Sequence, residues 1–253
     1  MYFESHAHYD DKKFDKDRFE LIEEMHKNSV DFIVNAASDL KSSLMGIEIA
    51  SQFPFFYTSV GVHPHETENM SETDVETLKK LAEKDKVVAV GEIGLDFHYD
   101  FSPRDLQRKW FKRQLQLAKE VDLPVIIHSR EAAKECFDIV KESGVNKGVI
   151  HSYSGSWRMA LDYIDLGFYI GIGGMVTFKN AKKPIETVEK VPLERILLET
   201  DSPYLSPEPV RGTRNNSQNL SYICDKIAHI KQISSEIVAK ITSENSMDLF
   251  SLK

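Results

Sequence analysis

Apolar residues recur along this chain in two alternating rhythms. Short runs rich in Val, Ile, Phe and Tyr appear eight times: YFESHAH, DFIVNAA, FFYTSVGVHPH, VVAVGEIGLD, PVIIHS, GVIHSYS, FYIGIGG and RILLETDSP. Between them lie polar segments with apolar residues three and four positions apart, such as DRFELIEEMHKNS, DLQRKWFKRQLQLAKEVD and EAAKECFDIVKES. The first rhythm predicts strands and the second amphipathic helices. SETD opens like a capped helix and ESG closes like one. After the eighth run, LSYICDKIAHIKQ and SSEIVAKITSENSMDLF predict two closing helices. The strands are nearly continuous apolar runs, as parallel strands buried on both faces should be. Eight such units predict an α/β fold, a single (β/α)8 TIM-like barrel with additional C-terminal helices, as one domain over residues 1–253. A doubly wound open sheet is the competing arrangement.

Length and composition agree with one barrel: 253 residues, 41% hydrophobic and 28% charged, with no Gly/Ser linker and no long charge block. No stretch approaches the ~18–20 apolar residues of a membrane span. The opening MYFESHAHYDDKK has neither the basic nor the apolar region of a signal peptide, so a cytoplasmic location is expected. A net charge of −8 gives no broad basic footprint and disfavours a structural DNA-binding role, while leaving DNA open as a substrate. Nothing in the chain calls for an obligate protein partner. Cys136 and Cys224 fall in helical segments and read as small core residues.

The chemistry falls at the strand ends. His6 and His8 end the first run, His63 and His65 the third, Glu92 and Asp96 the fourth. His128 ends the fifth, His151 the sixth, and Asp201 the eighth. In a barrel these ends converge on one mouth. Residues i and i+2 of a strand share a face, so both imidazoles of the H-x-H pair can point inward with Ala7 turned away. Glu92, His128, His151 and Asp201 complete a nest of four histidines and two carboxylates, a donor set suited to Zn²⁺, Mn²⁺ or Co²⁺. Six donors exceed the needs of one tetrahedral ion, which favours two metals sharing a carboxylate.

These motifs have a counterpart. SHAHYD, GVHPH, GEIGLDF, PVIIHSREA, IHSYSG, GGMVTFKNA, LLETDSPYLSP and RGTRN together resemble the TatD family, the TatD-type deoxyribonucleases of the amidohydrolase-like superfamily, nearly end to end. The resemblance implies a site for two divalent ions, Zn²⁺, Mn²⁺ or Mg²⁺. His6, His8 and Asp201 would hold the first, His128 and His151 the second, and Glu92 would bridge them. Two positions depart from the family's habit. Glu4 stands where an aspartate usually precedes H-x-H, and Asn216 and Ser217 stand where Glu-Pro usually follows RGTRN.

The expected function is divalent-metal-dependent hydrolysis, as a 3′-to-5′ deoxyribonuclease acting on single-stranded DNA or ends. Glu92 and Asp201 are the expected catalytic residues, with Asp201 orienting the water and accepting its proton. His63 and His65 are expected to line the mouth as proton donors or substrate contacts. Asp96 should hydrogen-bond a ligating histidine, and Glu4 should support the first metal from behind. Lys179, Arg211 and Arg214, in the loops after strands seven and eight, are the expected phosphate contacts, with Arg130 beside His128. Tyr153 and Phe178 follow strand ends and are the expected base-stacking residues. Trp110 and Trp157 read as outer-layer packing, and His26 and His229 as surface residues. The alternatives are a hydrolase of a small-molecule ester, amide or lactone, which would not need the cationic loops, and a non-catalytic binding protein, which would not need the full ligand set.

Overall fold

The structure is a computed structural model and describes residues 1–252; Lys253, the last residue of the expected domain, lies outside them. Eight strands form one sheet in chain order. They are β1 (Tyr2–Ala7), β2 (Val30–Asn35), β3 (Phe56–Val60), β4 (Val87–Asp96), β5 (Val125–Arg130), β6 (Gly148–Ile150), β7 (Tyr169–Ile172) and β8 (Ile196–Leu198). Every neighbouring pair is parallel. The helices are α1 (Arg18–Lys27), α2 (Leu40–Gln52), α3 (Glu72–Ala82), α4 (Arg104–Val121), α5 (Ala133–Ser143), α6 (Trp157–Asp165) and α7 (Lys182–Lys190), followed by α8 (Leu220–Lys231) and α9 (Ser235–Leu249). The sheet curls into a nearly closed barrel. β1 and β8 meet at the rim, where the His8 amide donates to Ser202 O at 2.7 Å and the Asp201 amide to His6 O at 3.0 Å. No helix among the described residues is long and apolar enough to cross a membrane.

Local chemistry sets the helix ends as expected. The Ser71 amide donates to Asp74 at the start of α3, at 2.8 Å. Gly144 ends α5 in the left-handed region, φ 69°, where a Cβ would be strained. Cys136 and Cys224 are free and buried, and Trp110, on α4, is buried in a core cluster with Val75 and Leu78 of α3. The predicted closing helices have separate tasks: α8 covers the outer face of the barrel through Leu220, Ile223 and Ile227. The end of α9 plugs the bottom, where Leu249 and Phe250 pack on Phe3, Val34, Ile126, Val149 and Leu197.

Two strands break the simple alternation. Glu4 pairs with Ile33 and the next paired residue, Ala7, with Asn35, so three steps on β1 oppose two on β2. Likewise Val90 pairs with Val125 and Ile93 with Ile127 on β4 and β5. Each is a bulge, and each reverses which residues face the barrel axis. Below the bulge in β1, Phe3 lies in the inner core; above it, Ala7 packs outward with Tyr9, Phe14 and Ile33. Val90 and Ile93 both pack outward against the helices. His6 and Glu92 occupy the added positions, and both point inward.

Candidate metal centre

The strand ends bring the predicted donors together at the floor of a cavity of about 570 Å³. His8, His63, His65, Glu92, Asp96, His128, Arg130, His151 and Asp201 all line it. His6 lies just beneath, fully buried and stacked on His151 at 3.5 Å between ring centroids. Several donors come from the turns beyond the strands: His63 and His65 follow β3, His151 follows β6, and Asp201 follows β8 with φ 60°. Aspartate tolerates that left-handed conformation better than most residues.

Glu92 is the hub. Its Oε2 lies 3.4 Å from His6 Nε2 and 3.7 Å from His8 Nε2. Asp201 Oδ1 lies 3.8 and 3.3 Å from the same two nitrogens, which are themselves 3.2 Å apart. Donors bound at the ~2.0–2.1 Å of zinc–nitrogen bonds stand roughly 3.3–3.4 Å from one another in a tetrahedron, so the trio of His6, His8 and Glu92 could hold a divalent ion, with Asp201 beside it. The second oxygen, Oε1, accepts from His128 Nδ1 at 2.8 Å and lies 3.6 Å from both His63 Nε2 and His151 Nε2. His63, Glu92 and His128 thus form a second donor group, with His63 nearer to it than its expected place at the mouth.

The protons report the same field. Burial disfavours charge on His8, yet the Asp201 and Glu92 carboxylates push it up to about 9. His151 rises to about 10 in the same way, against burial, through Glu199, Glu92 and Asp201. His128 is also raised: burial is outweighed by Asp96 and Glu92. Glu92 and Asp201 are lowered, because the imidazoles outweigh the cost of their burial. At His63 burial, helped by the neighbouring imidazoles, outweighs Glu92 and holds the ring well below the ordinary range, neutral. Protonated imidazoles here balance carboxylates across distances that a divalent cation spans, and metal uptake by such a site releases protons.

The residues behind the donors are as informative. Asp96, fully buried, accepts from His128 Nε2 at 3.0 Å and receives the His98 and Tyr99 amides, as an orienting carboxylate should. Glu4 reaches no imidazole ring. It accepts from the Thr200 amide at 2.8 Å, Thr200 Oγ1 at 2.6 Å and the His6 amide at 3.3 Å, so it ties the β1 backbone to the turn after β8. Burial pushes its carboxyl from the ordinary 4.5 up to about 8, against hydrogen bonds from Thr200 that favour the ion. The folded protein therefore keeps a proton that the unfolded chain has lost. Stability falls as pH rises between those values and levels off above them. Glu4→Gln is expected to abolish that decline, so its melting temperature gains on the unaltered protein's from about pH 5 to about pH 9. Parallel melting curves would contradict it.

One orienting residue escaped the sequence reading. Glu199 is fully buried, with Oε1 3.2 Å from His151 Nδ1, poorly aligned for a hydrogen bond, and 2.5 Å from the Ser152 amide. Its Oε2 and the Nδ1 atoms of His6 and His151 have no partner, and a Glu199 oxygen lies within 4.8 Å of a nitrogen of each ring. Gly171 opposite is required: a Cβ there would meet Oε2 at 2.3 Å. The signal was present, since Glu199 directly follows Leu198 at the end of β8, among the strand-end residues that gather at the mouth. Glu199→Gln is expected to weaken metal binding by about 10- to 100-fold, read by competition with a chelating dye; unchanged affinity would remove Glu199 from the site.

The expected substrate contacts divide. Arg130 reaches the cavity wall. Lys179, Arg211 and Arg214 do not line it. Arg214 is held by Asp17 through two contacts of 2.7 and 2.5 Å, and Arg211 lies over Phe178 at 3.8 Å. Tyr153 is buried, its hydroxyl donating to Ser156 O at 2.7 Å, so it offers no free face to a base. The exposed aromatics at the mouth are instead Tyr99, Phe101 and Tyr204, which the sequence reading passed over.

Comparison with known proteins places this geometry in company. The model of the family described as TatD related DNase matches residues 3–251. An uncharacterized metal-dependent hydrolase of Bacillus subtilis is 41% identical, with 99% of each chain covered. A protein of Rahnella named 3′-5′ ssDNA/RNA exonuclease TatD is 32% identical over 99% of this chain and 98% of its own. The crystal structure of a TatD homolog from Escherichia coli superposes with a TM-score of 0.94 at 30% identity, covering 100% of this chain and 98% of that one.

Proposed function

The chain belongs to the TatD-related DNase family of metal-dependent hydrolases, and from that premise we propose that it is a deoxyribonuclease. Residues 1–253 act as one barrel domain that removes nucleotides from single strands or ends, in the 3′-to-5′ direction, with two divalent ions, Zn²⁺, Mn²⁺ or Mg²⁺. The observation that carries the reading is the ring of donors around Glu92 at the wall of an open cavity. In this reading His6, His8 and Asp201 would hold one ion and His128 and His151 the other, with Glu92 shared between them. Such ions supply an activated water and neutralise charge on a phosphate. Asp201, held ionised by the imidazoles around it, orients the water and takes its proton. His63, held neutral, offers its ring N–H to the substrate. Arg130 meets a phosphate at the mouth.

A second reading has its own support. Asp10, Asp11 and Glu66 line the cavity, and the cationic loops expected to receive phosphate do not. An uncharged ester, amide or lactone would meet less repulsion there. The deciding experiment strips the protein of metal, adds end-labelled single-stranded DNA, and restores Mg²⁺, Mn²⁺ or Zn²⁺ in turn. Metal-restored shortening of the label supports the nuclease. No cleavage, with turnover of a p-nitrophenyl ester, establishes the second reading.

A further inference from the structure

The loop between β4 and α4 reads FHYDFSP. It lifts two aromatic rings into solvent: Tyr99 is 48% and Phe101 63% exposed. The rings are stacked, 5.1 Å between centroids and 9° from parallel. The Arg130 guanidinium lies 4.6 Å from the centre of Tyr99, and His65 meets both rings edge-on at 5.6 and 4.9 Å. The side chains therefore form one column, and Tyr99, Arg130 and His65 line the same cavity as Glu92 and His128. A column of flat, partly bare rings beside a reactive centre is a surface for another flat group.

Charge narrows the choice of that group. Arg130 is the single Lys or Arg among the lining residues, against Asp10, Asp11 and Glu66 at the same mouth. A groove that tracked many phosphates would need a row of cations. One cation beside a stacked pair suits one phosphate and one base. We propose that the Tyr99–Phe101 shelf seats the base of a strand's terminal nucleotide, with Arg130 as its one protein anchor for a phosphate. This rests on the nuclease reading. The enzyme then selects an unpaired end by stacking, and additional phosphates along the strand add little to binding.

The test uses the metal-loaded protein and a short phosphorothioate oligothymidylate, labelled at its 5′ end and followed by fluorescence anisotropy. Phe101→Ala is expected to weaken binding about 10-fold, the scale of one lost base–aromatic stack, and Phe101→Trp to restore it. An oligonucleotide abasic at its 3′ end should bind the unaltered protein about 10-fold more weakly, and Phe101→Ala should then cost nothing more. Arg130→Gln should flatten the slope of log affinity against log salt by about 0.7, one phosphate contact on a single strand. Equal binding of intact and abasic strands, or additive losses in the variant, overturns the shelf while leaving the nuclease reading intact. If the unaltered protein neither binds nor shortens DNA, both fall.

Discussion

Glu92→Gln is expected to leave the barrel folded and to lower metal-dependent turnover by at least about 10³-fold. The residue is buried on a strand whose every position is buried, and glutamine keeps its size, so packing is preserved. The charge is what the site loses. Five imidazoles approach this one carboxylate, those of His6, His8, His63, His128 and His151. An amide presents hydrogens where His128 Nδ1 now donates, and it removes the anion shared by the two donor groups. Metal content measured by mass spectrometry should fall with activity, while the far-ultraviolet circular dichroism stays unchanged. Full turnover at unchanged metal content would show that Glu92 is a structural carboxylate.

Asp201→Asn has a different signature. Its carboxylate lies nearest the His6–His8 side, with His151 Nε2 farther off at 4.0 Å, and asparagine tolerates the left-handed backbone at this position. Glu92 still spans both donor groups, so metal loss should be smaller than in Glu92→Gln. Turnover should nevertheless fall by about 10²–10⁴-fold, the usual contribution of a positioned general base. The loss belongs in kcat, and the double variant should be scarcely worse than Glu92→Gln alone, because both residues act on one centre. A rise confined to KM would place Asp201 among the substrate contacts.

Much of this was legible from residue order, and the reason is geometric. Parallel strands each deliver their last residues to one rim, so counting strand ends is enough to gather His6, His8, Glu92, His128, His151 and Asp201. Side-chain partners chosen across the fold were not legible. Arg214 looks free in RGTRN because its partner, Asp17, lies at the start of α1. Tyr153 looks available after β6 until its hydroxyl is found closing the turn on Ser156. Phe101 carries no mark in the sequence of the place the loop gives it, outward and stacked on Tyr99. Glu4 reads as a displaced metal neighbour, yet the bulge that follows turns it outward onto Thr200.

The added residues in β1 and β4 have a consequence for how this chain tolerates change. Each acts as a phase shift in a two-beat code. Below it, the inward beat is written for folding, in Phe3 of β1 and Ala89 of β4; above it, the inward beat is written for chemistry. The same strand thus carries two messages that are read out of step. Substitutions in the lower half can drift among apolar residues without disturbing the donors. Loss of Ser5 would remove the bulge and let strict alternation run from Phe3 through His6 to His8, all facing inward, so the added residue sets how His6 is aimed and not which face it takes. Such a deletion would leave a barrel that still closes over its core, with both histidines of the first strand inward and one kink fewer to aim them.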